Sequence, residues 1–211
     1  VFMGDFGGGT SDFVVMRLRG GNRDPRENRK GDILSIGGVY VAGDSFDASL
    51  MWHKLAKYFG KGAKIYGSLP DQVLEAPVWI PMTLCEWHMI SQLRDRKTLQ
   101  IIHSLRGVSD EDRKAVKNLH TLIIENLGYM LFRTIEKAKR ELSERESSVI
   151  EFSEKNIVIR EKITRDEFEA LAEDKFQKIE ACAEDTLIRS GVSVDDIDVV
   201  LLTGGSSFIP R

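Results

Sequence analysis

Between Asp5 and Asp12 the chain runs Asp-Phe-Gly-Gly-Gly-Thr-Ser-Asp, a stretch dense in groups that could hold a charged ligand. Three consecutive glycines are unfavourable for folding, because glycine loses more backbone freedom than any other residue. What they offer is close approach: without Cβ atoms, successive amide N–H groups can converge on an anion. Thr10 adds a hydroxyl at the tip of the turn, and Asp5 and Asp12 flank it with carboxylates. Carboxylates beside phosphate are tolerable chiefly with Mg²⁺ between them. The plain alternative is a glycine-rich hairpin turn, although an ordinary hairpin needs only one or two glycines. A second turn, Gly204-Gly205-Ser206, follows the apolar run 197–203 and precedes a helix expected near Phe208. In open α/β sheets, ligands sit at the carboxyl ends of strands, where a helix N-terminus also presents partial positive charge. The second turn alone is a weak signal, and the two together are much stronger than either and point to a phosphate-bearing ligand. No GxxxxGK[ST] run is present, which excludes a P-loop. Cys85-x-x-His88 is half of a metal site without the other half, and packing is the simpler account of it.

The elements that must position these turns follow from periodicity. Residues 1–5, 12–19 and 32–38 are predicted strands, joined as an antiparallel meander, with a Gly/Pro/Asn-rich solvent loop over 20–31. Phe46, Leu50, Leu55 and Tyr58 step at helical intervals over 44–58. Glycines 60, 62 and 67 and prolines 70, 77 and 81 break the chain up to residue 81, and 82–105 is predicted helical. Ser109-x-x-Asp112 resembles a capping box. It opens a pattern of Val116, Leu119, Ile123, Leu127, Leu131, Ile135, Ala138 and Leu142 that predicts one long amphipathic helix. Residues 148–152 and 157–163 predict a hairpin. Thr164-x-x-Glu167 opens a helix that Gly191 ends, and 197–203 predicts a strand buried on both faces in a parallel arrangement. Two sheet-forming segments thus bracket a helical middle, the pattern of a discontinuous α/β domain with a mostly helical insertion.

Composition narrows the function classes. The 211 residues carry 30 Lys+Arg and 33 Asp+Glu, a net charge of -3, with 42% apolar residues. That balance is globular and gives no electrostatic footprint for nucleic acid. No apolar run approaches the roughly 20 residues of a membrane helix. Cys85 and Cys182 lie far apart, which fits reduced thiols and a cytoplasmic protein. The chain starts at Val1 with what resembles a strand already under way and stops as another element begins, so a fragment of a longer protein is expected.

Five segments, in order, carry a resemblance to one family. DFGGGTSD at 5–12 resembles the second phosphate-binding motif, D-L-G-G-G-T-F-D, of the seventy-kilodalton heat-shock (DnaK-like) chaperones. AGDSFDASL (42–50), IEKAKRELSE (135–144), ITRDEFEAL (163–171) and VVLLTGGSSFIPR (199–211) resemble further segments of the same family. Residues 60 to about 110 do not match its common form and look more like divergent, short-form relatives of the YegD type. The resemblance implies the second lobe of an actin-like ATPase (ribonuclease H-like) α/β fold. Residues 1–42 and 164–211 would form the base subdomain, and 43–163 an inserted helical subdomain with a small hairpin.

The family's roles then transfer by position. Gly7, Gly8, Gly9 and Thr10 would hold the phosphates of ATP or ADP, with Thr10 near the attacking water. Asp5 and Asp12 would act on Mg²⁺ through water, and Thr10 and Asp12 would be the catalytic pair. Glu136 and Lys139 would reach the ribose, and Arg140 and Ser143 would flank the adenine. Gly43, Gly204, Gly205, Ser206 and Phe208 complete the implied nucleotide-binding set, with Phe208 where the family usually has an arginine. Ser11 replaces the usual Phe, Asp44 the usual Glu and Ser45 the usual Asp.

The implied partners are nucleotide, the first lobe of the same protein, unfolded-protein clients, and a co-chaperone or exchange factor, but neither nucleic acid nor membrane. Because the first phosphate loop and the catalytic lysine lie outside this chain, the chain alone is expected not to hydrolyse ATP at a useful rate. Three alternatives remain: an actin/MreB-like filament ATPase lobe, a sugar-kinase relative, and a degenerate member that binds nucleotide without turnover. The filament proteins typically carry Glu where this chain has Asp12 and lack the S-x-x-I-P-R ending of 206–211.

Overall fold

The computed structural model describes residues 1–18 and 30–210. Most of the loop expected over 20–31 lies outside the described residues, as does Arg211. The elements, in chain order, are β1 (Phe2–Phe6), β2 (Ser11–Met16), β3 (Ile33–Val39), α1 (Gly43–Leu50), β4 (Lys64–Tyr66) and β5 (Val73–Glu75). There follow α2 (Trp79–Leu84), α3 (Arg96–Ser104), α4 (Asp110–Ile124), α5 (Gly128–Glu144), β6 (Ser147–Glu154), β7 (Ile157–Thr164), α6 (Arg165–Ser190) and β8 (Val200–Thr203). The chain divides into two compact units, Val1–Phe46 with Ala172–Arg211, and Asp47–Leu171. The result is a mixed α/β protein. Among the described residues no helix is long and apolar enough to cross a membrane.

The first unit is built on a sheet of order β3-β2-β1-β8. The meander is antiparallel, and β8 joins β1 in parallel with Asp5 opposite Thr203. On β2, Ser11, Phe13 and Val15 turn inward and alternate with more exposed residues, the period of a strand with one covered face. Phe6 meets Phe13 edge-on at 5.7 Å, and Phe46 meets Phe176 of α6 at 4.9 Å. Thr186 of α6 is fully buried against Gly37, where a Cβ would collide with its hydroxyl. β8 departs from expectation. It is parallel, but Val200, Leu201 and Leu202 are 57%, 47% and 59% exposed. As an edge strand pairing only with β1, it has no covering layer among the described residues.

In the second unit, the helix expected to run unbroken from 110 to 142 is two helices. Asn126 adopts φ 55 after the last turn of α4, and Gly128 opens α5. Asparagine is second to glycine as the left-handed residue that ends a helix. Gly128 is pressed against Ile90, whose Cδ1 would lie 2.8 Å from an added Cβ. The Ser109/Asp112 capping box forms as expected. The region 82–105 is not one helix either: Asp95 accepts from the amides of Lys97 and Thr98 and so starts α3 afresh. The β4–β5 hairpin lies in the stretch expected to be broken by glycine and proline. Downstream, Ile150, Phe152, Ile157, Ile159 and Ile163 of the β6–β7 hairpin are buried, while Val149 and Val158 face out.

An ion network ties the helical stretch after α1 to β7. Glu161 accepts from the Tyr58 hydroxyl at 2.5 Å and pairs with Lys57 at 2.6 Å, while Lys54 pairs with Glu167 at 2.8 Å. Burial alone would raise the Glu161 pKa, but the hydrogen bonds from Lys57 and Tyr58 and the charges of Lys57 and Lys54 outweigh it and hold it low. Burial first, then the Glu161 hydrogen bond and charge, push Tyr58 up to about 12. A carboxylate held low contributes stability that is complete above its ordinary range and is lost as pH falls through the depressed one. Glu161→Gln is therefore expected to lower stability near neutrality and to flatten the acid-side decline. Urea unfolding at about pH 7 and about pH 3 measures both.

Candidate functional site

The loop after β1 is closed by one backbone bond, from the Gly7 N–H to the Thr10 carbonyl at 2.9 Å. The N–H groups of Gly8, Gly9 and Thr10 have no partner among the described residues. Gly8 and Gly9 are exposed. None of Gly7, Gly8 and Gly9 lies in the left-handed region. A Cβ on Gly9 would meet nothing within 4 Å, and one on Gly8 would find Asp44 Oδ1 at an ordinary 3.7 Å. The folded chain therefore gives no reason for Gly9 to be glycine. A row of exposed, unused donors with no side chains over it is what an incoming anion needs.

Antiparallel pairing sets Asp5 opposite Asp12, so the two carboxylates share a face at the mouth of the loop. Like charges directly opposite on a sheet are unfavourable. Neither aspartate has an ion-pair partner among the described residues, and both are exposed. Two such oxygen donors suit a hydrated divalent cation. No cluster of three potential metal-ligating side chains occurs among the described residues. The Thr10 hydroxyl donates to Asp12 Oδ2 at 2.8 Å, which leaves its lone pairs available to accept.

The Gly7 carbonyl is where three distant segments meet. It accepts from the Gly43 N–H at 3.2 Å, where α1 begins, and from the Ser206 hydroxyl at 3.3 Å. The Gly8 carbonyl accepts from the Asp44 N–H at 2.7 Å. Gly204 sits at φ 87, and a Cβ there would fall on the Phe6 carbonyl. Gly7, Gly8, Gly43, Gly204 and Ser206 are thus held together within the first unit by contacts to the backbone of residues 6–8. Gly205 borders open space, and Phe208 is 75% exposed. Asp44 and Ser11 were not singled out as site residues. Ser11 is fully buried and donates to the Val41 carbonyl at 2.7 Å, which anchors the segment leading to Gly43.

Glu136, Lys139, Arg140 and Ser143 lie along α5 in the second unit. They are not equivalent. Arg140 is exposed, and Glu136 and Ser143 are half-buried. Lys139 is buried, with its ammonium 2.9 Å from each carboxylate oxygen of Asp47. Nothing in the spacing of the sequence flagged Asp47, because its partner lies 92 residues away.

Two comparisons with known proteins bear on this arrangement. The family model described as Hsp70 protein matches residues 125–211. Hypoxia up-regulated protein 1 of Danio rerio is 30% identical over 133 residues, which are 61% of this chain and 12% of that protein. The chain thus corresponds to about an eighth of that relative's length.

Proposed function

We propose, from the match of residues 125–211 to the Hsp70 family model, that this chain is the second lobe of an actin-like ATPase domain and binds ATP or ADP. Residues 1–42 and 164–211 would be its base and 43–163 its inserted subdomain. The observation that carries this reading is the row of amides at Gly8, Gly9 and Thr10, unpartnered among the described residues, in a loop whose Gly9 the fold itself does not require to be glycine.

Those amides would bind the β- and γ-phosphates, and the Thr10 hydroxyl, already donating to Asp12, would accept a hydrogen bond from the attacking water. Asp5 and Asp12 would hold Mg²⁺ through its water shell, and the ion would neutralise charge between the carboxylates and the phosphates. Gly204 and Gly205 would admit the adenosine side closely, with Phe208 free to stack on a base and Ser206 fixing the turn to Gly7. Glu136, Arg140 and Ser143 would serve the ribose and adenine, with Lys139 held beside them by Asp47. In the whole protein, nucleotide would switch the lobe between open and closed states and so alter affinity for unfolded clients, a co-chaperone or an exchange factor. The two free cysteines fit a cytoplasmic location.

An NMR titration of this chain with millimolar MgADP tests the reading. Shifts at residues 7–10, 204–206 and 136–143 are expected, and no shift at any of them would overturn it. The sharper experiment is Gly9→Ala. Its melting temperature should stay within a degree or two of the parent, since the added methyl meets open space. Its affinity for MgADP should fall at least about tenfold, because the methyl occupies the phosphate's approach. Unchanged binding would remove the loop from the site.

A further inference from the structure

The second unit gathers basic side chains around one concavity between α3 and α4. The turn joining these helices is fixed by close contact, because a Cβ on Gly107 would fall on the backbone of Asp112 and Arg113. One Arg106 nitrogen donates to the carbonyls of His103 and Leu105, at 2.5 and 2.9 Å. Arg113 donates to the Val108 carbonyl at 2.6 Å and pairs with Asp110. Two guanidinium groups are therefore held in place by the backbone rather than swinging in solvent. His103 and His120 bridge the two helices, with their Nε2 atoms 3.3 Å apart.

These four side chains and Lys117 line a cavity of about 360 Å³ to which no carboxylate contributes. An adjoining hollow shares His103 and adds Arg94 and Arg96. Among the described residues Arg94, Arg96, Arg106 and Lys117 have no carboxylate partner. This concentration of cations occurs in a chain whose net charge is -3.

We propose that the cavity between α3 and α4 binds a small anion bearing two or more phosphate-type charges. Arg106 and Lys117, which have no carboxylate partner among the described residues, and Arg113, whose partner Asp110 is outside the lining, favour such a ligand, and the cavity's size suits a compact one. The histidine pair could suggest a metal, but the described residues supply no third ligand, and Arg106, Arg113 and Lys117 would repel a cation.

His120 would make binding proton-linked. Burial first, and the neighbouring His103 second, hold the His120 pKa low. A bound anion favours the imidazolium form, so affinity should rise as pH falls through the histidine range. The charged groups facing the pair are Arg106 from the turn and Arg113 and Lys117 from α4, with Asp110 engaged by Arg113.

The test is NMR titration of the whole chain with pyrophosphate and with propanedisulfonate, whose charge does not change near neutrality. Saturable shifts confined to residues 103–120 are expected, separable by position from any at Gly7–Thr10. Disulfonate should bind about fivefold tighter at about pH 6 than at about pH 8. Lys117→Glu, on an exposed side chain, should weaken pyrophosphate binding at least about tenfold without changing the melting temperature. Absent shifts at 103–120, affinity indifferent to Lys117→Glu, or equal disulfonate affinity at both pH values would each overturn the proposal. Tighter binding of a glutamate-rich peptide than of pyrophosphate would overturn the small-ligand assignment.

Discussion

Gly204→Ala is expected to cost at least about 3 kcal/mol and to abolish the β1–β8 pairing, and with it the proposed nucleotide binding. Two independent penalties combine. The backbone at φ 87 is unfavourable for any residue with a Cβ, and the Cβ itself would fall on the Phe6 carbonyl. Phe6 cannot yield cheaply, because it ends the strand that carries Asp5 and leads into the Gly7–Thr10 loop. Relief would require β8 to move away from β1, which would also take Ser206 from the Gly7 carbonyl. Thermal unfolding and hydrogen exchange of β1 read the effect. A variant that melts with the parent and keeps slow exchange in β1 would show that the two segments are not in contact. The contrast with Gly9→Ala is informative: one glycine serves the fold and the other, on our reading, the ligand.

Asp47→Ala should be comparably severe, costing about 3–5 kcal/mol, because it removes the carboxylate 2.9 Å from the buried Lys139 ammonium. A salt bridge of this kind is expensive to break and of little net benefit to have. Asp47→Leu combined with Lys139→Met should therefore recover most of the loss, since replacing both partners removes the buried charge altogether. Urea unfolding of the two single variants and the double variant closes the cycle. A double variant as unstable as Asp47→Ala would mean that the pair contributes hydrogen bonding the cycle cannot replace. If the double variant folds but loses MgADP affinity, Lys139 is needed for the ligand as well as for packing.

Local chemistry made much of the fold legible. The capping box at Ser109, the stop at Gly191 and the alternation in the β6–β7 hairpin all rest on contacts within a few residues. The break at Asn126 was also local, in an Asn-Leu-Gly signal that the strong apolar period on either side overrode. The exposure of β8 was not legible, because an apolar run states what a strand could bury and not whether a covering layer exists. The three-residue strands β4 and β5 are too short for any period to show. At the site, the glycines and carboxylates of 5–12 stood out in the sequence itself. The two donors to the Gly7 carbonyl, and the Asp47–Lys139 pair, depend on contacts between segments far apart in the chain and left no pattern in the letters.

The parallel partnership of β1 with β8 also has a consequence for the order in which the molecule is made. β1 lies inside the sheet, yet its second neighbour, Val200–Thr203, follows it only far along the chain. At ordinary synthesis rates of about 5–20 residues per second, the nascent meander waits roughly 10–40 s with the edge of Phe2–Phe6 open. Its unpaired backbone is then a template for any passing strand. The meander would thus need shielding while it is being made, until β8 arrives to cover that edge.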